Sequence, residues 1–363
     1  MLRNPFRAAR LRAPLHSRQK LLIDALLTPQ RSLKRIMNAH ELPYALNPSV
    51  RPFDRPARLA QIWAVGGGKG GVGKSLLSSS IGILLAKQNQ RVIAVDLDIG
   101  GANLHTNLGL EMPPRSLDDF LSGRTQDLQA CLTPTAVPHL SLISGTQDAS
   151  ALLHLPTKQK VRLLESLRKL SADHLIFDLG AGINVHTIDF FLASDKSILS
   201  IVPEPSSIEN AYRFLKSAYF RHFRSCPQLK KVAHLIDAAV DPKNSLGIQN
   251  PAQLLREIDK LDPESGAHFR TQLERLRPVI VLNQIRAQTD SEIGLSIKRV
   301  CKQYFGLEVD FAGTLEHDHT LWQSSRRKKP FAVEFPNSKI IESLSKIVQN
   351  LVLRGGPPSP NPL

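Results

Sequence analysis

A glycine-rich stretch constrains this sequence more than any other feature. Residues 68–75 read Gly-Lys-Gly-Gly-Val-Gly-Lys-Ser and fit the pattern G-x-x-x-x-G-K-[ST]. An apolar run at 62–65 precedes them, and residues 76–86 have the composition of a helix. A strand before the loop and a helix after it are the context that this pattern requires. The sequence therefore predicts a phosphate-binding loop.

The residue types in this loop explain how it would bind phosphate. Glycines allow backbone N–H groups to point at phosphate oxygens without a clashing side chain. The helix that follows presents its positive end to the anion. We expect Lys74 to reach the β- and γ-phosphates of a nucleotide, and the Ser75 hydroxyl to ligate Mg²⁺. An ordinary glycine-rich turn is the alternative, and the combination of glycines, lysine and serine argues against it.

Two further apolar runs end in aspartates. Residues 92–95 precede Asp96 and Asp98, whose spacing of two places both side chains on the same side of a strand. Residues 174–177 precede Asp178 in a pattern typical of a Walker B strand. Carboxylates at the ends of strands beside a phosphate loop suit the binding of Mg²⁺ and the positioning of water. For Asp96 and Asp98, a pair of surface aspartates where a strand meets a loop is the alternative.

Seven apolar runs of strand length alternate with helical stretches along the chain. These runs lie at 62–65, 92–95, 140–143, 174–178, 197–202, 279–283 and 309–315. The alternation predicts an α/β fold, with a doubly wound, mainly parallel sheet flanked by helices. In such a fold, ligands bind at the carboxyl ends of the strands.

The chain is expected to have three parts. We predict a basic arm and linker at 1–58, a nucleotide-binding domain at 59–355 and a tail at 356–363. Within the domain, the pairs Asn250-Pro251 and Asp262-Pro263 have the composition of helix starts. They predict a helical insertion at about 221–277, which either binds a partner or covers the sheet.

Positive charge is concentrated at the start of the chain. The net charge is +15, and the first 60 residues contain 12 Lys or Arg but only 3 Asp or Glu. Such an arm is either a solvated tail or a contact for nucleic acid or an anionic membrane. Both interpretations stay open at the level of sequence.

The cysteines and the hydropathy of the sequence indicate in which cellular compartment the protein is expected. Cys131, Cys226 and Cys301 are far apart and form no C-x-x-C pair, which suits a reducing cytosol. No run of about 18 apolar residues occurs, so we expect no membrane-spanning segment. The sequence does not begin with a positively charged stretch followed by an apolar segment, so we do not expect export. The expected location is the cytoplasm, with attachment to the periphery of the inner membrane as the alternative.

Lys69 makes the loop resemble a narrower group of phosphate loops. A lysine directly after the first glycine is similar to the deviant Walker A motif of the MinD/ParA family of ATPases. Residues 96–104 match that family's D-x-D-x-G-x-x-N-L pattern, and residues 203–207 resemble its P-E-x-S-S segment. The family usually has proline where Gly180 stands, so we expect a different local turn after Asp178. The resemblance extends over roughly residues 60–355.

Within the family, the long insertion and segment 100–105 most resemble the FlhG subgroup of flagellar-number regulators. FlhG proteins have a short N-terminal activating motif that contains glutamine. Residues 1–60 contain no convincing copy of it. The resemblance implies an ATPase with ATP and Mg²⁺ as its cofactors.

The resemblance also implies catalytic and metal-binding roles for single residues. Lys69 would reach across a dimer to the partner's nucleotide, and Asp98 would orient or deprotonate the attacking water. Lys74 is the third residue with a catalytic role. The implied magnesium ligands, some of them acting through water, are Ser75, Asp96 and Asp178.

Several residues are expected to contact the nucleotide. Asn103 would lie at the dimer contact, and Glu204 would touch the partner's nucleotide. Asn283 would read the adenine ring, because an amide pairs with both a donor and an acceptor. The full set of expected nucleotide contacts is Gly68, Lys69, Gly70, Gly71, Val72, Gly73, Lys74, Ser75, Leu76, Asn103 and Asn283.

The function implied by the resemblance is a switch driven by ATP. Two copies would close over Mg-ATP, expose a surface for an activating protein partner and separate after hydrolysis, which would be slow without that partner. The cellular role would be spatial regulation of the flagellum or the cell pole. One alternative is a binding module that nucleotide locks and hardly hydrolyses. Another is a DNA-partitioning ATPase that uses the basic arm. A metal-cluster carrier of the same superfamily is disfavoured because it needs a C-x-x-C motif.

Overall fold

The computed structural model of the 363-residue chain describes residues 60–98, 101–145, 155–241, 246–248, 250–287 and 290–353. The predicted basic arm at 1–58 and the predicted tail at 356–363 lie outside the described residues.

A mixed sheet organises the described part of the chain. Its strands are β1 (Gln61–Gly66), β2 (Val92–Leu97), β3 (Leu132–Pro134), β4 (Leu140–Ile143), β5 (His174–Leu179), β6 (Lys196–Ile201), β7 (Val279–Ile285) and β8 (Asp310–Glu316). Their order across the sheet is β3-β4-β2-β5-β1-β6-β7-β8. Neighbouring strands pair in parallel except β3 and β4, which are antiparallel. Strand β1 lies inside the sheet, with β5, β2, β4 and β3 on one side of it and β6, β7 and β8 on the other. This order confirms the predicted doubly wound, mainly parallel sheet.

The prediction of seven strands was wrong by one. The additional strand, β3, has only three residues and pairs antiparallel with β4 at the edge of the sheet. Its residues are Leu132, Thr133 and Pro134, and none of them is fully buried. A segment this short contains no apolar run, and proline is tolerated there because edge strands leave one side of the backbone unpaired. The hydrophobic pattern of the sequence therefore gives no signal for β3.

Helices cover both faces of the sheet. They are α1 (Lys74–Ala86), α2 (Leu104–Asn107), α3 (Leu117–Leu121), α4 (Thr157–Lys169), α5 (Val185–Leu192), α6 (Pro205–Arg224), α7 (Ala233–Val240), α8 (Pro251–Leu261), α9 (Pro263–Arg275), α10 (Ser291–Phe305), α11 (Thr320–Arg326), α12 (Phe331–Glu334) and α13 (Lys339–Leu353). Short 3-10 helices lie at Leu128–Cys131 and Pro227–Val232. None of the described helices is long and apolar enough to cross a bilayer.

The two faces of the sheet contribute to separate cores. Ile62 and Ala64 of β1 pack into the core beneath α4, α5, α6 and α10. Trp63 and Val65 pack into the core beneath α1 and α13. This alternation follows from the period of two along a strand. Because both faces are covered, the strands inside the sheet are mainly apolar, which is why the sequence shows them as continuous runs.

The predicted insertion folds as helices with a core of their own. Helices α8 and α9 begin at Pro251 and Pro263, as predicted, and Asn250 caps α8 by accepting the N–H of Gln253 at 2.9 Å. Their buried side chains join the end of α6 in a third apolar cluster that contains no strand residue. In this cluster the rings of Phe223 and Phe269 stack with centroids 3.9 Å apart. The insertion therefore adds a core of its own to the domain, and Leu273 of α9 packs against both this cluster and the core beneath the sheet.

A buried group of charges connects three helices. The Asp189 carboxylate of α5 accepts from Lys160 of α4 and from Arg221 of α6, with an Arg221 Nη2–Oδ2 distance of 2.9 Å. Lys160 and Asp189 are at most 3% exposed as side chains. Removal of one partner from a buried ion pair leaves an uncompensated charge and destabilises a protein by about 3–5 kcal/mol. The group therefore fixes α4, α5 and α6 relative to one another.

The third cluster also makes stability depend on pH. His222 is buried beside Phe223, and burial lowers the pKa of His222 to about 4. In an unfolded chain histidine has a pKa of about 6.5. Between these values the unfolded state binds the proton more readily, so we expect the free energy of unfolding to decrease as pH falls from about 6.5 to about 4. The decrease due to His222 is at most about 3 kcal/mol.

His222→Leu should reduce this acid sensitivity. The measurement is urea denaturation at neutral pH and near pH 5, with the exposed His234→Gln as the matched control. A His222→Leu variant that loses stability on acidification as much as the parent and the control would contradict this assignment.

Candidate nucleotide and magnesium site

The glycine-rich loop lies between the carboxyl end of β1 and the start of α1. Gly71 and Gly73 have φ values of +79° and +85°, a region that side chains with a Cβ rarely adopt. A Cβ at Gly73 would lie 2.2 Å from the Asn283 amide nitrogen, and a Cβ at Gly68 would lie 2.4 Å from the Asn210 carbonyl oxygen. At Gly70 and Gly71, by contrast, no atom lies within 4 Å of a Cβ position. The loop is therefore packed at its base and open at its mouth, as phosphate binding requires.

Asp96 and Asp178 lie directly opposite each other on the paired strands β2 and β5, and each is 1% exposed. Asp96 accepts the N–H groups of Leu104 at 2.9 Å and Asp98 at 3.1 Å. Asp178 accepts the Ser78 hydroxyl at 2.9 Å. Burial, followed by repulsion from Asp178, raises the pKa of Asp96, and burial also raises the pKa of Asp178.

This pair of carboxylates fits a divalent cation. A hydrogen bond from Ser75 and the charge of Lys74 both act against the rise in the pKa of Asp178, so these two groups face the same carboxylate. Mg²⁺ prefers oxygen ligands and usually binds one or two carboxylates together with phosphate oxygens and water. Among the described residues no group of three or more His, Cys, Asp or Glu side chains forms a metal site. The structure brings the predicted ligands together: Ser75 bonds Asp178, and Asp96 lies opposite Asp178 on the neighbouring strand.

Asp98 lies next to this pair but is more accessible. Its side chain is half-buried at the end of β2. Burial raises the pKa of Asp98, and the charge of Lys74 opposes the rise. Lys74 itself is 8% exposed. The arrangement thus places an ionisable oxygen beside the loop, close to a buried lysine and accessible to water.

Lys69 lies at the exposed rim of the site. Its ammonium group donates to Glu204 Oε2 at 3.2 Å and to Ser206 Oγ at 3.1 Å, both in the same chain. The Lys69 and Glu204 side chains are 41% and 60% exposed. The structure therefore brings together the two residues that the family resemblance assigns to contacts with a partner's nucleotide. That either of them reaches a partner's nucleotide stays a prediction.

Asn283 is 2% exposed and contacts the loop through its amide. It donates to the Val72 carbonyl oxygen at 3.0 Å and accepts the Gln284 N–H at 2.9 Å. An amide has two N–H groups and two acceptor positions, and these two bonds use one of each. The predicted contact of Asn283 with adenine is compatible with this geometry and stays a prediction. Asn103 is exposed and donates to the Gly101 carbonyl oxygen at 2.9 Å, and its predicted role in a dimer is likewise untested.

Three contacts of the site were missed in the sequence. Ser78 bonds Asp178, Ser200 donates to the Val72 carbonyl oxygen at 2.7 Å, and Gln284 donates to the Gly71 carbonyl oxygen at 3.0 Å. Ser78 had a detectable signal, because it lies three residues after Ser75 and so on the same face of α1. Ser200 and Gln284 had none, since their contacts depend on how β6 and β7 meet the loop.

Comparison with known proteins decides the family. The profile of the CobQ/CobB/MinD/ParA nucleotide binding domain matches residues 63–331, which include the loop and all three aspartates. The chain belongs to the CobQ/CobB/MinD/ParA family. The predicted resemblance to the MinD/ParA group is thereby confirmed.

Two relatives agree with the predicted FlhG-like subgroup of the MinD/ParA proteins. The chain is 36% identical over 159 residues to the antiactivator FleN of Pseudomonas aeruginosa, covering 43% of this chain and 55% of FleN. It is 34% identical over 155 residues to the flagellum site-determining protein YlxH of Helicobacter pylori, covering 42% of this chain and 52% of YlxH. The chain thus spans about half the length of these two curated relatives.

A solved structure of the MinD/ParA group supports the fold. The septum site-determining protein MinD of Pyrococcus horikoshii, solved with Mg-ADP, superposes with a TM-score of 0.54 at 18% identity. The superposition covers 80% of this chain and 96% of that MinD chain. At this identity the likeness concerns the fold, and it agrees with the α/β sheet described above.

Ser78 provides a test of the magnesium site. Ser78→Ala removes a hydrogen bond to the Asp178 carboxylate, and loss of such a supporting contact typically weakens metal affinity by about 10–100-fold. We expect about a tenfold higher Mg²⁺ concentration for half-maximal binding of a fluorescent ATP analogue. The control is Ser79→Ala, since Ser79 Oγ donates to the Leu76 carbonyl within α1. Equal Mg²⁺ dependence in the two variants would contradict a supporting role of the Ser78 hydroxyl at the metal site.

Proposed function

We propose that this protein is an ATP-hydrolysing dimerisation switch. The observation that carries the proposal is the meeting of four groups at the end of the sheet: the open loop, buried Lys74, the Asp96–Asp178 pair and half-buried Asp98. The first three suit a bound Mg-nucleotide, and Asp98 adds an oxygen that is accessible to water. The reaction is transfer of the γ-phosphoryl group from ATP to water, which yields ADP and phosphate.

Binding of the nucleotide follows from the groups of this chain. Backbone N–H groups of the loop and the start of α1 hold the phosphate oxygens. Lys74 provides a fixed positive charge for the β- and γ-phosphates, and Ser75, Asp96 and Asp178 would hold Mg²⁺, directly or through water. When bound, Mg²⁺ neutralises the charge that develops on the phosphate oxygens. Asn283 contacts the adenine through its amide, which can pair with both a donor and an acceptor of the base.

Asp98 acts on the attacking water. Its carboxylate orients the water towards the γ-phosphorus and accepts a proton from it as the new bond to phosphorus forms. Catalysis of this kind depends on positioning and electrostatics and needs no covalent intermediate. Turnover is slow until a protein partner completes the site.

Lys69 supplies the dimer contact in this proposal. In one chain it bonds Glu204 and Ser206 at the exposed rim, where exposed ion pairs contribute only about 0.2–1 kcal/mol. Such a weak pair is readily exchanged for a stronger contact with the partner's phosphate. ATP then favours the dimer and hydrolysis dissolves it, with Asn103 at the same interface.

The cellular role that the relatives support is spatial regulation. FleN is named an antiactivator and YlxH a flagellum site-determining protein, and we assign this chain a related role at the flagellum or cell pole. It would act in the cytoplasm or at the periphery of the inner membrane, through an activating protein partner. The basic segment at 1–58 favours an added contact with DNA or anionic lipid. A DNA-partitioning ATPase is therefore the second candidate, and salt-sensitive DNA binding that is lost without residues 1–58 identifies it.

Hydrolysis is tested with Asp98→Ala. We expect phosphate release to fall by about 100-fold or more, because a positioned general base contributes about that factor, while ATP binding is retained. The measurement is phosphate release with and without candidate partner proteins. The control is Asp237→Ala, which removes an exposed carboxylate that pairs with Arg224. Absence of phosphate release from the parent protein under every condition would support the nucleotide-locked binding module instead.

Dimerisation is tested with Lys69→Ala. We expect ATP-dependent dimers, measured by light scattering in the Asp98→Ala background, to be lost, because the contact across the interface is missing. Binding of ADP to the monomer should be unchanged. Lys158→Ala at the start of α4, where the side chain is exposed, serves as the control. Dimers of unchanged stability in the Lys69 variant would refute the proposed contact.

A further inference from the structure

An exposed tryptophan lies beside a run of four basic residues. Trp322 of α11 is 63% exposed, whereas Trp63 in β1 is fully buried. Residues 326–329 have the sequence Arg-Arg-Lys-Lys, and all four side chains are exposed. The Arg326 guanidinium carbon lies 4.8 Å from the centroid of the Trp322 ring, one helical turn away. The surface at the end of α11 is therefore both aromatic and positively charged.

The turn after α11 is fixed, and one of its lysines has an unusual backbone conformation. Ser324 Oγ donates to the Lys329 carbonyl oxygen at 2.7 Å, and the Lys329 N–H donates to the Ser324 carbonyl oxygen at 3.2 Å. Within this turn Lys328 has a φ of +49°, in the left-handed region that favours glycine. A side chain held there despite that preference points to a functional requirement. Because Lys328 is exposed, the property that it adds to the turn is positive charge.

Exposed apolar side chains border this turn on two sides. Val333 is 46% exposed, and its N–H donates to the Pro330 carbonyl oxygen at 3.0 Å. Met112 is 47% exposed and follows Glu111, whose carboxylate lies 3.6 Å from the Lys328 ammonium group. Grouped apolar side chains within a polar border typically mark an interaction site. The Trp322 surface consists of Met112, Trp322, Arg326, Arg327, Lys328, Lys329 and Val333.

The composition of the Trp322 surface matches an anionic bilayer better than a nucleic acid. Phosphate groups of either partner attract residues 326–329, and bases can stack on Trp322. Nucleic acid, however, has no apolar region for Met112 and Val333. A bilayer accepts both kinds of side chain, since tryptophan is enriched at the membrane interface and apolar side chains enter the boundary of the acyl chains.

We infer that the Trp322 surface docks on a membrane that contains anionic lipid. Phe331 and Ala332, in the helix α12 that follows the basic run, are buried in the core beneath α1 and α13, so this surface belongs to the folded domain. It is a different contact from the basic segment at 1–58. The inference rests on the proposed peripheral location and assigns it a surface, and it does not depend on hydrolysis of ATP.

Fluorescence tests this contact directly. The chain has two tryptophans, and because Trp63 is buried, a lipid-bound quencher reaches only Trp322. Vesicles of phosphatidylcholine and phosphatidylglycerol with brominated acyl chains should therefore quench the tryptophan emission of the full chain. Brominated vesicles of phosphatidylcholine alone should not, because they lack the negative charge that attracts the basic run. In Trp322→Phe, which keeps an apolar ring, the anionic vesicles should still bind but quenching should disappear.

Lys328→Gly separates binding from stability. It removes one positive charge, so we expect affinity for the anionic vesicles, measured by co-sedimentation, to fall about fivefold. The melting temperature should stay the same or rise, because glycine is favoured at a φ of +49°. Asn89→Gly is the backbone control, since Asn89 is exposed, has a φ of +59° and carries no charge. Lys158→Gln on α4, which covers the opposite face of the sheet, is the charge control, and neither control should change vesicle affinity.

Three results would overturn the inference. One is the absence of vesicle binding by the parent protein, with or without ATP. Another is binding without quenching that is unchanged in Lys328→Gly, which assigns the lipid contact to segment 1–58. A third is a change in Trp322 emission with single-stranded DNA but not with vesicles, which identifies a nucleic acid site. Phosphate release is measured in parallel: a protein that binds vesicles through Trp322 but releases no phosphate retains the inference and loses the ATPase function.

Discussion

Two carboxylates buried side by side, Asp96 and Asp178, are the constraint on which the rest of the site depends. Burial raises the pKa of both carboxyl groups, and repulsion from Asp178 raises the pKa of Asp96 further. Partners must therefore come from several elements: the Leu104 N–H from the start of α2 and the Ser78 hydroxyl from α1. The bonds to these two carboxylates hold the first turns of α1 and the start of α2 against the ends of β2 and β5.

The same physical reasons set what the sequence could predict. Asp96, Asp98 and Asp178 each follow an apolar run, and parallel strands bring their carboxyl ends to one edge, so their meeting was predictable. The helix starts at Pro251 and Pro263 were predictable from local chemistry alone. The hydrogen bond from Gln284 to the Gly71 carbonyl oxygen was not predictable, because it depends on how β7 and the loop are placed relative to each other in the folded chain. The third apolar cluster was not predicted for a related reason. Its side chains come from both α6 and the insertion, and the sequence does not show that these segments lie together.

Lys69 shows the limit of a motif in a single chain. Its position after the first glycine carries the family resemblance, yet the same position also lies within reach of Glu204 and Ser206. A motif specifies which residue type is needed at a place in the loop, whereas the direction of a long exposed side chain depends on what surrounds it. Exposed ion pairs of this kind are weak, so the contact within the chain is compatible with the predicted contact across a dimer interface.

Helix α6 connects the insertion to the exposed rim of the nucleotide site, where Lys69 lies. Ser206 in its first turn bonds Lys69, and Phe223 near its end stacks in the core of the insertion. The 20 residues of α6 span about 30 Å without a break. Arg221 near its end is also tied to Asp189 of α5, the helix that follows the Gly180–Gly182 segment. The insertion is thus connected to the nucleotide site through one continuous helix and one buried ion pair.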